Sequence, residues 1–273
     1  MERIGLIGVG LLGSAIASRL EKGGYAVKGF DIDPAKRRGV NTIEEIARQC
    51  RRILISLPVS DVTARVLDGL ELAPGTIVID TTTGEPEAMA AMGARLAGLG
   101  VEYLDATVGG SSRVVSEGNA IVMAGGKHET FEACADLFGC FATKVFHLGP
   151  CGAGARMKLV VNLVLGLNRA VLAEGLAFAR ACGVDAASAL EVLRAGASYS
   201  RAMDAKGGKM LTGDFSVEAR LSQHLKDVRL ILATAARNGA KTPLSDVHRD
   251  LLERAEAAGY GAADNSAIIR AFD

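Results

Sequence analysis

Over residues 3–148, short runs of β-branched and other apolar residues alternate with longer amphipathic segments, and from Ala153 onward that alternation stops. The runs at 3–7, 25–30, 52–56, 76–80, 101–104, 120–124 and 144–147 have the length and makeup of buried strands, with helix-length stretches between most of them. Strands punctuated by helices signal repeated βαβ units and a parallel sheet. The remainder is rich in Ala and Leu and is expected to be helical, with breaks at Gly183, at Gly207 with Gly208, at Gly239 and over 259–261. The pattern therefore predicts an α/β Rossmann-type domain over residues 1–152. An all-α domain over 153–273 follows, entered through one long helix at 153–182.

Composition narrows the picture. Apolar residues are 49% of the 273 but aromatics only 4%, so the core must be built from Ala, Leu, Val and Ile, a mixture that suits helices laid on a parallel sheet. Basic and acidic residues number 31 each, which leaves no overall field to recruit nucleic acid or an anionic membrane. The five cysteines (Cys50, Cys134, Cys140, Cys151, Cys182) are scattered, with no zinc-ligand or dithiol spacing, and are expected to be reduced, with no metal site. Without a signal-peptide h-region at the N-terminus, a cytoplasmic address is the expectation. The most apolar stretch, 159–173, is interrupted by Asn162, Asn168 and Arg169, so no membrane span is expected.

Gly8, Gly10 and Gly13 form GxGxxG directly after the first strand and open a helix through Ser14–Ala17. The first glycine permits the tight turn, the second lets backbone approach a pyrophosphate, and the third lets helix pack on strand; the free helical N–H groups then face the phosphates. The second strand ends at Asp31, 18 residues after Gly13, where a carboxylate can accept hydrogen bonds from ribose hydroxyls and repel a 2′-phosphate. NAD is thus the expected cofactor, with NADP kept as the alternative because Lys36, Arg37 and Arg38 follow closely.

On the long helix Lys158 and Asn162 stand four apart, and Gly166 and Arg169 continue their face among Leu159, Val160, Leu163, Val164, Leu167 and Val171. An ammonium in such company needs a partner or a cleft, and partial desolvation suits a lysine to acid/base work near neutral pH. An alcohol giving a hydride to nicotinamide must also lose its hydroxyl proton, so Lys158 is the candidate acid/base and Asn162 the candidate substrate-orienting group. The bland alternative is a lysine that snorkels to solvent.

These residues resemble the β-hydroxyacid dehydrogenases, the group containing 3-hydroxyisobutyrate dehydrogenase and tartronate semialdehyde reductase, over essentially the whole chain. IGLIGVGLLGSAIASRLEKG at 4–23 is similar to the family's cofactor fingerprint, which brings Leu11 and Leu12 to the cofactor beside the glycines. Ser56–Leu57–Pro58 matches its strand-end turn and DTTTGEP at 80–86 its DxSTxxP segment, implying that Leu57, Pro58 and Thr83 lie at the cofactor. GPCGAGARMKLVVN at 149–162 resembles the block carrying the family's catalytic lysine and asparagine, which fall on Lys158 and Asn162. RLSQHLKD at 220–227 is similar to a segment whose lysine reaches the cofactor, here Lys226, and residues 259–266 match the family's ending. The resemblance also implies a homodimer or homotetramer.

One segment departs. Where the family's substrate loop commonly reads DAPVSGG, residues 105–111 read DATVGGS, so Thr107 replaces proline, Gly109 the substrate-contacting serine and Ser111 a glycine. Glyoxylate and succinic semialdehyde reductases of the same family carry serine at the position of Ser111. Backbone N–H groups around Gly110 and the hydroxyls of Ser111 and Ser112 can still bind a carboxylate, which predicts a small carboxylate-bearing alcohol or aldehyde as substrate. The principal reading is oxidation of a 3-hydroxy acid to its semialdehyde or the reverse. The alternatives are a glyoxylate or succinic semialdehyde reductase, an imine reductase, against which Lys158 argues, and a non-catalytic dinucleotide sensor, which needs no Lys158–Asn162 face. 6-Phosphogluconate dehydrogenase is similar in its motifs but has a longer helical domain.

Overall fold

A computed structural model describes residues 1–273. The first part runs β1 (Arg3–Ile7), α1 (Leu11–Lys22), β2 (Ala26–Phe30), α2 (Ile43–Gln49), β3 (Arg52–Ile55), α3 (Ser60–Asp68), β4 (Ile77–Asp80) and α4 (Pro86–Ala97). It continues with β5 (Glu102–Gly109), α5 (Ser112–Ser116), β6 (Ala120–Gly125), α6 (His128–Glu132), α7 (Ala135–Phe141) and β7 (Ala142–His147). The strands form one sheet in the order β2-β1-β3-β4-β5-β6-β7, the Rossmann arrangement the sequence predicts. Alternate side chains feed opposite faces: Ile4, Leu6, Leu54, Ile79 and Leu104 pack with α1 and α7, while Ile7, Ile53, Ile55 and Val78 pack against α2, α3 and α4.

The sheet is parallel except at β5–β6, which pair antiparallel. Only residues 110–119 connect these two strands, which is too short for a crossover of a dozen or more residues, so the chain must turn back. β5 also runs to Gly109, five residues beyond the apolar stretch that marks it in the sequence, because its polar Asp105 and Thr107 point inward and are fully buried.

Five helices follow: α8 (Ala153–Ala181), α9 (Ala186–Ala195), α10 (Arg201–Thr212), α11 (Leu221–Arg237) and α12 (Pro243–Ala255). A π-turn with Gly259 at φ +93° and a final 3-10 segment (Asn265–Phe272) close the chain. Gly207 and Gly208 do not break a helix. They lie within α10, and a Cβ on Gly207 would stand 2.7 Å from Leu190 Cδ1, so the glycine is what lets α9 lie close. The break falls instead at Gly213, left-handed at φ +71°.

The fold divides into two units, Met1–Lys158 and Leu159–Asp273, with the division inside α8 rather than at its start. By length and composition α8 could cross a membrane, its most apolar 18 residues having a mean hydropathy of 1.5, contrary to the expectation drawn from its polar interruptions. Asn162 and Arg169 on it are nonetheless buried, and Asn162 has a hydrogen-bond partner within the protein, which is the pattern of a core helix. All five cysteines are unpaired, and no group of three or more His, Cys, Asp or Glu residues is arranged to hold a metal.

Candidate active site

Gly8 turns the chain at the end of β1 with φ +96°, and a Cβ there would stand 2.2 Å from Ser56 O. At Gly13 a Cβ would stand 2.0 Å from Gly8 O, so the third glycine is the condition for α1 to sit against the loop. Gly10 differs: open space lies above it, and as the N-cap of α1 it offers no side chain to the helix's first N–H groups. Backbone donors facing open space at a helix start form a cradle for a phosphate anion. Leu11 is exposed and Leu12 half-buried on the first turn.

Asp31 follows β2 and is tied to this loop. Its Oδ2 accepts from Val9 N at 2.8 Å and its Oδ1 from Asp33 N at 2.9 Å. Each oxygen keeps a further acceptor position. The three basic residues behind it are already engaged: Lys36 pairs with Asp33 at 3.1 Å, Arg38 with Glu21 at 2.9 Å, and Arg37 donates to Asp31 O at 3.0 Å while stacking over Phe30.

The turn after β3 carries Leu57 and Pro58. Leu57 N donates to Thr82 Oγ1 at 3.1 Å, Thr81 Oγ1 donates to Ile55 O at 2.7 Å, and Thr82 N donates to Asp80 Oδ1 at 2.9 Å. Asp80 is fully buried, and its other oxygen accepts from Tyr103 OH at 2.8 Å. Burial pushes its carboxyl up to about 6. Thr82, one residue from the expected Thr83, is therefore the side chain that fixes the Leu57 turn, and it is buried while Thr83 is half-exposed. Gly8–Gly13, Asp31, Leu57, Pro58, Thr83 and Gly110 all follow the carboxyl ends of β1 to β5, where open α/β sheets bind ligands.

Gly110 opens the loop after β5, and Ser111 caps α5, its Oγ accepting from Val114 N at 3.5 Å. The serine thus has a local structural task and retains its hydroxyl proton for a ligand. Ser112 is half-exposed on the first turn. Lys158 Nζ donates to Val108 O at 2.7 Å, two residues before Gly110. Its ammonium is held at the mouth of the loop instead of extending into solvent.

Within the second unit Asn162 is buried and donates through Nδ2 to Asp227 Oδ2 at 2.9 Å. Lys226 Nζ lies 2.8 Å from the other oxygen of the same carboxylate. Asp227 thus joins two of the expected site residues, and it was not itself expected; the only signal was its place beside Lys226. Farther along α8, Gly166 packs against the rings of His224 and His248, and Arg169 is buried. The outward side of α8 departs from a helix buried all round, since Val160, Val164, Val171 and Phe178 are exposed.

Residues 3–149 match the family model described as the NAD binding domain of 6-phosphogluconate dehydrogenase, and residues 152–272 match that described as NAD-binding of NADP-dependent 3-hydroxyisobutyrate dehydrogenase. L-threonate dehydrogenase of Cupriavidus necator is 30% identical, covering 99% of this chain and 96% of the relative. The chain belongs to the NAD(P)-dependent β-hydroxyacid dehydrogenase family. Another member, 2-(hydroxymethyl)glutarate dehydrogenase of Eubacterium barkeri, is 29% identical over 99% of this chain and 95% of its own length. A solved 3-hydroxyisobutyrate dehydrogenase from Salmonella typhimurium has the same fold, with a TM-score of 0.90, 24% identity and 99% of both chains covered. This chain also aligns with about half of the human cytokine-like nuclear factor N-PAC, at 29% identity over 99% of this chain and 51% of that protein. As a member of the family the chain is an oxidoreductase.

Proposed function

We propose that this enzyme interconverts a small carboxylate-bearing 3-hydroxy acid and its semialdehyde, with NAD as the preferred dinucleotide. The observation that carries the reading is the Lys158 ammonium, held 2.7 Å from Val108 O beside the Gly110–Ser112 loop. The N-terminal residues fit the dinucleotide: the open backbone cradle at Gly10 suits its pyrophosphate, with Leu11, Leu12, Leu57, Pro58 and Thr83 around it. Bound nicotinamide supplies the hydride acceptor or donor. Lys158 takes the hydroxyl proton of the alcohol, or returns one to the alkoxide oxygen in the reverse direction. The backbone at Gly110 and the hydroxyls of Ser111 and Ser112 hold the substrate carboxylate. Asn162 and Lys226 take the substrate-orienting and cofactor-contacting roles implied by the resemblance, both positioned by Asp227.

The expected substrates follow from relatives whose names specify hydroxymethylglutarate and L-threonate, each a hydroxylated carboxylic acid. A reducing, cytoplasmic setting accords with five unpaired cysteines, and a homo-oligomer with the exposed apolar side of α8. Lys158→Ala is expected to lower turnover about a thousandfold, within the range attributed to general acid–base catalysis, while the dissociation constant for NAD stays within about twofold. The measurement is absorbance at 340 nm across a panel of hydroxy acids and semialdehydes, with cofactor binding followed by calorimetry. Undiminished turnover in the variant would overturn the role given to Lys158, whereas NAD binding by the parent without turnover of any compound in the panel would leave a dinucleotide sensor as the better account.

A further inference from the structure

β5 and the first two turns of α8 run side by side in the same direction. Three strand residues advance about 10 Å and six helical residues about 9 Å, so contacts made at residues 105, 107 and 108 of β5 can continue along the start of the helix. They do. Asp105 accepts from Gly152 N at 2.8 Å and from Ala155 N at 2.7 Å. Thr107 Oγ1 lies 3.1 Å from Gly154 O and 3.3 Å from Met123 O, and Val108 O receives Lys158 Nζ. The approach is backbone on backbone, since a Cβ on Gly154 would stand 2.4 Å from both Asp105 O and Met123 O.

The middle contact has a specific address. By the i to i−4 pattern of an α-helix, Gly154 O is also the acceptor for the amide of Lys158. The Thr107 hydroxyl, fully buried, thus grips the same peptide carbonyl that fixes where the lysine leaves the helix. We propose that Thr107 is a positioning residue for the acid–base step, anchoring α8 so that the Lys158 ammonium is presented at Val108 and the Gly110 loop. This rests on the role given to Lys158 above. Asp105 secures the start of the helix as well, but its two bonds are made to the N-terminal turn and would be needed for folding whatever residue 158 did. Thr107 acts on the other end of the peptide that Asp105 holds through Ala155 N, on a carbonyl that already has its helical partner. Removing the hydroxyl therefore leaves no buried acceptor empty and costs little stability.

The test is a set of single variants of the full chain. Thr107→Val keeps the shape of the side chain and deletes the hydroxyl; kcat for the best substrate of the panel is expected to fall about tenfold while KM for substrate and for NAD stays within about twofold. Thr107→Ser restores the hydroxyl and should return kcat to within about twofold of the parent. In the protein without cofactor, amide exchange over residues 154–158 should accelerate in Thr107→Val and not in Thr107→Ser. An unchanged kcat in Thr107→Val, when Lys158→Ala is inactive, would overturn the inference. So would a Thr107→Ser variant as slow as Thr107→Val, because the methyl group and not the hydroxyl would then matter. Full turnover in Lys158→Ala would instead overturn the lysine's role and this inference with it.

Discussion

Asp31 ties the glycine loop to β2, and in the proposed function the same side chain selects the cofactor. Its carboxylate draws the glycine loop to the end of β2 through Val9 N and leaves lone pairs facing outward. A 2′-phosphate placed there would meet like charge, and Lys36, Arg37 and Arg38 are occupied with Asp33, Phe30 and Glu21. NAD is therefore expected to bind more tightly than NADP. Asp31→Asn, which keeps one oxygen for Val9 N, should narrow that preference about tenfold, equivalent to about 1.4 kcal/mol. Parallel titration of both dinucleotides checks this, and tighter binding of NADP by the parent protein would defeat the reading. Asp31 and the glycines were legible in the sequence because their spacing is set by the strand-loop-helix unit itself. Thr82 and Asp227 were not, because a positioning side chain is defined by contacts across 25 and 65 residues that no local pattern records.

At the scale of elements, strands were legible wherever a run was apolar, and helix ends wherever a glycine had to turn the chain. The failures share one cause, which is tertiary packing overriding a local signal. Asp105 and Thr107 look like the end of a strand but are inward residues of β5, and Gly207 looks like a breaker but is the gap into which Leu190 fits. α8 differs again, for its polar stripe was readable while nothing local in the sequence tells which of its apolar residues stay uncovered. Val171 is 66% and Phe178 70% exposed, and with Val160 and Val164 they line one side of the helix at spacings of four and seven. Such a face is expected to meet a second copy. Sedimentation should give at least twice the 28.3 kDa chain mass, and Val171→Glu with Phe178→Glu should return it to one. A parent protein that sediments as a monomer would remove this reading.

For the molecule as a whole, two buried groups set opposing responses to acid. Burial and the neighbouring Arg169 hold the His248 imidazole down to about 4, so between pH 6.5 and 4 the unfolded chain binds a proton that the folded one refuses. That contribution to stability is full above pH 6.5 and is lost as the pH falls toward 4, the loss by then amounting to about 3 kcal/mol. Asp80 works the other way. With its carboxyl pushed up to about 6, the folded state binds the proton first, and stability is gained as the pH falls through that value. The parent protein should therefore show a shallow profile from pH 6 to 4. His248→Leu removes one arm, and urea unfolding should find it gaining about 3 kcal/mol relative to the parent between pH 7 and pH 4. An equal difference at both pH values would show that His248 carries no such linkage.

The Lys158 ammonium rests on the carbonyl of residue 108, and every amino acid has one. Replacing Val108 can crowd or loosen the spot but cannot erase this acceptor. Sequence drift can therefore rewrite the side chains around the lysine and change which acid the enzyme prefers, while the lysine keeps its berth as long as the strand holds its course.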